Sequence, residues 1–155
     1  MSITVTAWQP LATKLMHQFE GCRLKAYPDP GSRDGHPWTI GWGSTGAGIG
    51  PGVVWTQEQA DERFLTDLSA FGDRVAKLLD DAPTTAHQMA ALVSLAYNIG
   101  TTALAGSTVL RRHKAGNYAG AKAAFASWRF NDGEVMKGLE RRRAAEAELY
   151  GTPDE

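Results

Sequence analysis

A single cysteine, Cys22, stands in the whole sequence, so no disulfide can form within the chain. A buried structural thiol is the expected state of that side chain. An excess of one charge sign is missing as well: 16 Lys and Arg against 17 Asp and Glu leave a formal net charge of −1. That balance excludes a global basic field steering the protein to nucleic acid or to anionic surfaces. The four histidines, His17, His36, His87 and His113, are scattered without ligand spacing, and no metal site is indicated. The opening stretch, MSITVTAWQPLATKLMHQFEG, has no basic segment followed by an unbroken apolar run. Neither a secretory signal nor a membrane anchor is therefore expected, and the protein should be held in the cytoplasm where it is made. The glycine run from Gly43 to Gly50 lacks the lysine and following helix of a phosphate-binding loop. It reads instead as a flexible hairpin end.

What is present describes one soluble domain. At 155 residues the chain is long enough to bury a real core. Trp8, Leu11, Ala12, Leu15 and Phe19 repeat at helical spacing and predict a first helix over about 8–19. Thr56 with Gln59 forms a capping-box pattern that starts a long helix reaching about residue 79. Phe64, Leu65, Leu68, Phe71, Val75, Leu78 and Leu79 keep its apolar face. Thr85 with Gln88 repeats the box, and 89–99 is apolar almost all round, the mark of a buried central helix. Shorter helices are expected near 108–115, 117–128 and 137–150. The clusters Arg111-Arg112-His113-Lys114 and Arg141-Arg142-Arg143 have acids interleaved nearby and read as solvated helix faces, not a nucleic-acid surface.

The chemistry concentrates in FEGCRLKAYPDPGSRDGHPWTIGWG, Phe19 to Gly43. Glu20 lies one residue past the first apolar stripe, at the border of packing and solvent, a setting suited to a general acid. Leu24 to Tyr27 can start a strand, and the Pro-Asp-Pro-Gly turn that follows carries Asp29. The chain returns as a strand through Thr39 to Gly41 and Gly43. Two carboxyls and a hydroxyl on a helix end and a hairpin can make a glycosidase site. They can equally be a solvated helix-end acid and a turn former, and spacing alone leaves both readings open.

A family resemblance favours the first. Glu20-Gly21, Arg23-Leu24, Ala26-Tyr27, Asp29, Trp38-Thr39-Ile40-Gly41 and Gly43 resemble the catalytic signature of the phage-type lysozymes (glycoside hydrolase family 24). Ala91 to Gly100 is similar to the family's central helix and its end. Ser107-Thr108 with Leu110-Arg111, Ala115 to Tyr118, Trp128, Gly138-Leu139 and Arg141-Arg142-Arg143 with Glu146 continue the match, over roughly 15–150. The loop between Asp29 and Thr39 is a few residues longer than in the commonest members. Ser44 stands where many carry a histidine.

The resemblance implies an α+β, lysozyme-like fold: a small β-sheet lobe at about 21–55, a connecting helix at about 56–80, and a larger helical lobe from 1–20 and 83–155, with a cleft between the lobes. It implies an endolysin, a muramidase with no cofactor and with substrate contacts at Tyr97 and Asn98, although Asn98 reads equally as a helix-end cap. Glu20 is the expected general acid, with Asp29 and Thr39 placing the attacking water. The expected partner is bacterial peptidoglycan, with neither nucleic acid nor stable membrane association. A monomer is expected, reaching the wall once a holin or other agent permeabilises the membrane. A lytic transglycosylase and a non-catalytic wall-binding module are the alternatives.

Overall fold

The computed structural model describes residues 5–131 and 133–154. Its first helix, α1 (Val5–Phe19), carries the stripe read from the sequence: Trp8, Ala12 and Leu15 are buried, and Met16 joins them. Two compact units divide the chain. One runs Glu20–Ala70; the other takes in α1 and the chain from Phe71 onward. The long helix α2 (Gln57–Leu79) passes from the first unit to the second at Ala70. Its start is boxed as expected: the Thr56 hydroxyl accepts from the Gln59 amide at 3.1 Å, and the Gln59 carbonyl oxygen accepts from the Thr56 amide at 2.8 Å.

In the Glu20–Ala70 unit, β1 (Arg23–Tyr27) pairs antiparallel with β2 (Thr39–Gly41). Arg23 stands opposite Gly41 and Tyr27 opposite Thr39, with an irregularity between. The segment around Val54 lies along the other edge of β1, bonded by Ala26 N–H to the Val53 carbonyl and by Trp55 N–H to the Leu24 carbonyl. Burial in these strands is confined to Ala26 of β1 and to Ile40 and Gly41 of β2. Ala26, Ile40 and Ile49 form a small core, and Trp38, Val53 and Trp55 pack on it. The backbone then doubles back, with Ile40 and Ser44 exchanging both amide bonds at 3.0 and 2.8 Å. Gly41, at a φ of 65°, is needed there on two counts. A side chain would be strained in that conformation, and its Cβ would stand 3.2 Å from the Trp55 ring.

In the other unit the centre is α3 (Ala86–Ile99), buried from Gln88 through Ala96. Its Thr85–Gln88 capping box is formed. The chain's end reinforces it: Asp154 accepts from the amides of Ala86 and His87 at 2.9 and 3.2 Å and from the His87 ring. The His87 bond leads in holding the Asp154 carboxyl below its usual range. Helix α1 packs on α3, as does the last helix, α7 (Lys137–Tyr150). Between them come α4 (Thr101–Ala105), α5 (Thr108–Lys114) and α6 (Tyr118–Ala124), the last running into a 3₁₀ turn at Phe125–Ser127. A short hairpin of β3 (Phe130–Asn131) and β4 (Glu134–Val135) precedes α7. Neither α4 nor this hairpin was expected from the sequence, each being too short to show a period.

Two expectations are corrected. Cys22 is half-buried, not buried, with its sulfur 3.5 Å from the Gln57 amide nitrogen. The basic clusters are not wholly solvated faces. Arg142 and Arg143 are buried with Glu146, and His113 is buried too, while Arg111, Arg112 and Arg141 stay exposed. The physical reason is pairing: a guanidinium can leave water when a carboxylate one turn away on the same helix meets it.

Candidate active site

The residues singled out in the sequence fall in both units. Glu20 is half-buried at the bend where the chain leaves α1. Asp29 lies two residues beyond the end of β1, also half-buried. Its amide donates to the Gly35 carbonyl at 2.8 Å and its carbonyl accepts from Ser32 at 3.1 Å, which closes the turn. One carboxylate oxygen takes the Gly31 amide at 3.4 Å. Asp29 is thus a turn former, but the long bond leaves most of the carboxylate's acceptor capacity unspent.

Thr39 begins β2. Because it pairs with Tyr27, the register sets it at the hairpin end that carries Asp29. Its hydroxyl lies 3.4 Å from the Pro37 carbonyl. Glu20 sits beyond the other end of β1 in the chain, so the hairpin brings Asp29 and Thr39 to one end and the strand separates them from Glu20.

The longer loop is internally braced. Asp34 accepts from the Ser32 hydroxyl at 2.7 Å and the His36 amide at 3.0 Å; the Ser32 bond leads in holding the exposed Asp34 carboxyl below its usual range. His36, Pro37 and Trp38 of this loop line an open pocket of about 490 Å³ with Gly46 and Ile49.

Ser44 is buried, and its hydroxyl donates to Asp67 on α2 at 2.7 Å. Arg63 holds the other oxygen of Asp67 at 2.9 Å and the Thr45 carbonyl at 2.8 Å. The glycine-rich turn is therefore fastened to α2 by a serine–carboxylate–guanidinium chain. Ser44 was noticed in the sequence, but its partners lie 19 and 23 residues further on, and no local pattern announces them.

Tyr97 and Asn98 share the last turn of α3. The Tyr97 ring packs on Phe71 at 5.0 Å between centroids and is half-buried. Asn98 is exposed, and its side-chain oxygen accepts from Arg143 Nη1 at 2.8 Å. Of the two readings left open for Asn98, capping does not describe its side chain, because Gly100 ends the helix.

Behind Asn98 lies a set of residues that sequence reading misjudged. Glu146 Oε2 accepts from the Ser94 hydroxyl at 2.5 Å, Arg143 Nη2 at 3.0 Å and Arg142 Nε at 3.3 Å. Arg143 Nε faces Glu146 Oε1 at 2.5 Å as an ion pair without hydrogen-bond alignment. Burial pushes the Glu146 carboxyl's pKa up, opposed by Arg143, the Ser94 hydroxyl and Arg142. The Arg-Arg-x-x-Glu spacing was the available signal, since it puts these charges on one helix face. Among the described residues no group of three or more His, Cys, Asp or Glu could hold a metal ion.

Comparison with known proteins places this geometry. The family model described as phage lysozyme matches residues 17–146. The endolysin of Bacillus phage PZA is 40% identical over 141 residues, 90% of this chain. The chain spans only about half of that relative's length, 54%. The endolysin of Salmonella phage P22 is 41% identical over 134 residues, 83% of this chain and 87% of the relative. Among solved structures, the muramidase domain of SpmX from Asticaccaulis excentricus superposes with a TM-score of 0.84 at 34% identity, covering 98% of this chain and 100% of that one. On sequence and on fold alike, the chain belongs to the phage lysozyme family.

Proposed function

We propose that the chain is an endolysin's glycosidase, hydrolysing the β-1,4 bond between N-acetylmuramic acid and N-acetylglucosamine in bacterial peptidoglycan. Glu20 protonates the departing glycosidic oxygen. Asp29, with the Thr39 hydroxyl, orients a water on the opposite face of the muramyl ring. An inverting course needs carboxyl groups roughly 6.5–9.5 Å apart to admit that water. The observation that carries the reading is the hairpin register: Thr39 opposite Tyr27 gathers a hydroxyl and a carboxylate at one end of β1, while the second, half-buried acid precedes the other end. The five residues of that strand favour two separated carboxyls over a pair in contact.

The test is to digest isolated peptidoglycan with the purified protein and identify product ends by mass spectrometry. Reducing muramic acid ends are expected. Anhydro-muramyl ends would make the protein a transglycosylase, and no cleavage at all would leave a wall-binding module. Glu20→Gln should cost at least the ~10²–10⁴-fold typical of a general acid. Asp29→Asn keeps an oxygen for the Gly31 amide and so isolates the charge from the turn; it should abolish most activity, with Thr39→Ala milder. If Asp29→Asn kept a near-normal rate, Asp29 would be a turn residue and nothing more.

Access to the wall belongs to the same proposal. Among the described residues no helix is long and apolar enough to cross a membrane. The protein accumulates in the cytoplasm as a monomer and acts once a holin or similar agent opens the membrane. Expressed alone in bacteria it should not lyse cells until they are permeabilised. Lysis prevented by blocking the secretion machinery would contradict this.

A further inference from the structure

Between Asp29 and Thr39, the two groups proposed to orient the water, residues 30–38 form a largely exposed loop. Such a segment has the least stable backbone of a fold unless something closes it. Here the loop is closed on Asp29 itself. The Asp29 amide donates to the Gly35 carbonyl at 2.8 Å, and its carbonyl accepts from the Ser32 amide at 3.1 Å. Asp34 ties those two grips together. One of its carboxylate oxygens, Oδ1, accepts from the Ser32 hydroxyl at 2.7 Å and from the His36 amide at 3.0 Å. The span that holds Asp29 therefore cannot open without breaking a charge-assisted bond. The loop also has a seat. At Gly35, with a φ of 82°, a Cβ would stand 2.9 Å from Trp38 Nε1 and 3.1 Å from Pro28 Cβ, and Trp38 packs on the core of Ala26, Ile40 and Ile49. On the exit side, the Pro37 carbonyl next to His36 meets the Thr39 hydroxyl at 3.4 Å.

We infer that Asp34 is a positioning residue: through the loop it braces, it fixes the Asp29 carboxylate and the Thr39 hydroxyl where the attacking water needs them. The inference rests on the glycosidase reading above and adds the residue that holds two of its groups in place. Asp34 acts through those groups and not on the substrate. Every residue involved lies in the Glu20–Ala70 unit. Because Asp34 is exposed, it adds little to the stability of the fold, so its effect falls on the rate. A water aligned by two groups matters as the transition state forms. The loss therefore belongs in kcat and not in KM.

Asp34→Ala removes the acceptor for both donors. On soluble glycan strands its kcat should fall about 10–100-fold, the upper end being the cost of a misplacement of ~1 Å. KM and melting temperature should stay nearly unchanged. Asp34→Asn keeps an uncharged oxygen for the same two donors and should recover most of the lost rate. Ser32→Ala removes one arm of the brace and should lower kcat by a smaller factor. In the Asp34→Ala background it should lower kcat no further, since the two changes break one contact. A raised KM at unchanged kcat would make Asp34 a substrate contact, and a lowered melting temperature with both kinetic constants held would make it merely structural. Either result overturns the inference. So would kinetics that do not move at all, or an Asn variant as slow as the Ala variant, which would put the effect in the charge. If Asp34→Ala does not fold, Ser32→Ala decides by itself: an unchanged kcat sinks the idea. Wild-type protein that leaves the strands uncut, or cuts them to anhydro ends, defeats the glycosidase reading and the inference with it. That failure is told apart because it shows in the unmodified chain.

Discussion

The indole of Trp8 occupies the space a side chain would need at Gly72: a Cβ built there would stand 2.5 Å from Cζ2 and 2.8 Å from Cη2. This contact explains a glycine in the middle of α2, where one costs about 1 kcal/mol relative to alanine. The ring's burial against α2 outweighs that cost, since a buried aromatic removes a large apolar area from water.

Gly72→Ala should therefore destabilise the protein, against its helix propensity. The overpacking penalty is about 1–3 kcal/mol. In the double variant Trp8→Ala with Gly72→Ala, the second change should recover its propensity gain and become stabilising. Urea denaturation of the four proteins in this cycle measures the sign directly. A Gly72→Ala protein more stable than wild type would show that the indole moves aside at no cost.

Much of this architecture was legible because the signals are local. The Thr56–Gln59 and Thr85–Gln88 boxes are complete within four residues, and both form as read. The α1 stripe needs only helical period. The hairpin was legible from Pro-Asp-Pro-Gly and the glycines that follow Thr39. What sequence reading could not supply is pairing at a distance. Ser44 meets Asp67 across 23 residues, and Arg143 meets Asn98 across 45. The arginine run 141–143 misled because charge count suggests solvent, whereas helical phase turns two of the three inward and leaves Arg141 out. The same phase error hid His113, whose neighbours in sequence are exposed.

His113 gives the fold a pH dependence. Its ring nitrogens lie 2.9 Å from the Thr84 hydroxyl and 2.6 Å from the Tyr150 hydroxyl, and the Tyr118 and Tyr150 rings flank it. Burial holds its pKa below the ordinary 6.5, only partly opposed by the Pro83 backbone. Below pH 6.5 the unfolded chain then takes up a proton that the folded chain resists. Stability from this residue is complete above that pH and is lost as pH falls toward the lowered folded value. The urea midpoint should drop from pH 7.5 to 5.5, and His113→Gln should flatten the drop. Equal slopes for the two proteins would place the acid sensitivity elsewhere.

The buried charges of α7 yield the last prediction. Glu146 is completely enclosed and meets two arginines that are themselves almost so. Desolvating three such groups costs several kcal/mol each, and their mutual attraction largely offsets this, so the intact set adds little net stability. Removing one member is a different matter. Glu146→Gln leaves two guanidinium groups in a dry site without a counter-charge, and should cost about 3–5 kcal/mol. Ser94→Ala removes a neutral donor from the same carboxylate and should cost nearer to about 1.5–3 kcal/mol, the range for a bond to a charged group. Replacing Arg142, Arg143 and Glu146 together by Met, Met and Leu should leave stability nearly unchanged or raise it. A triple variant that unfolds would show the charges to be net stabilising.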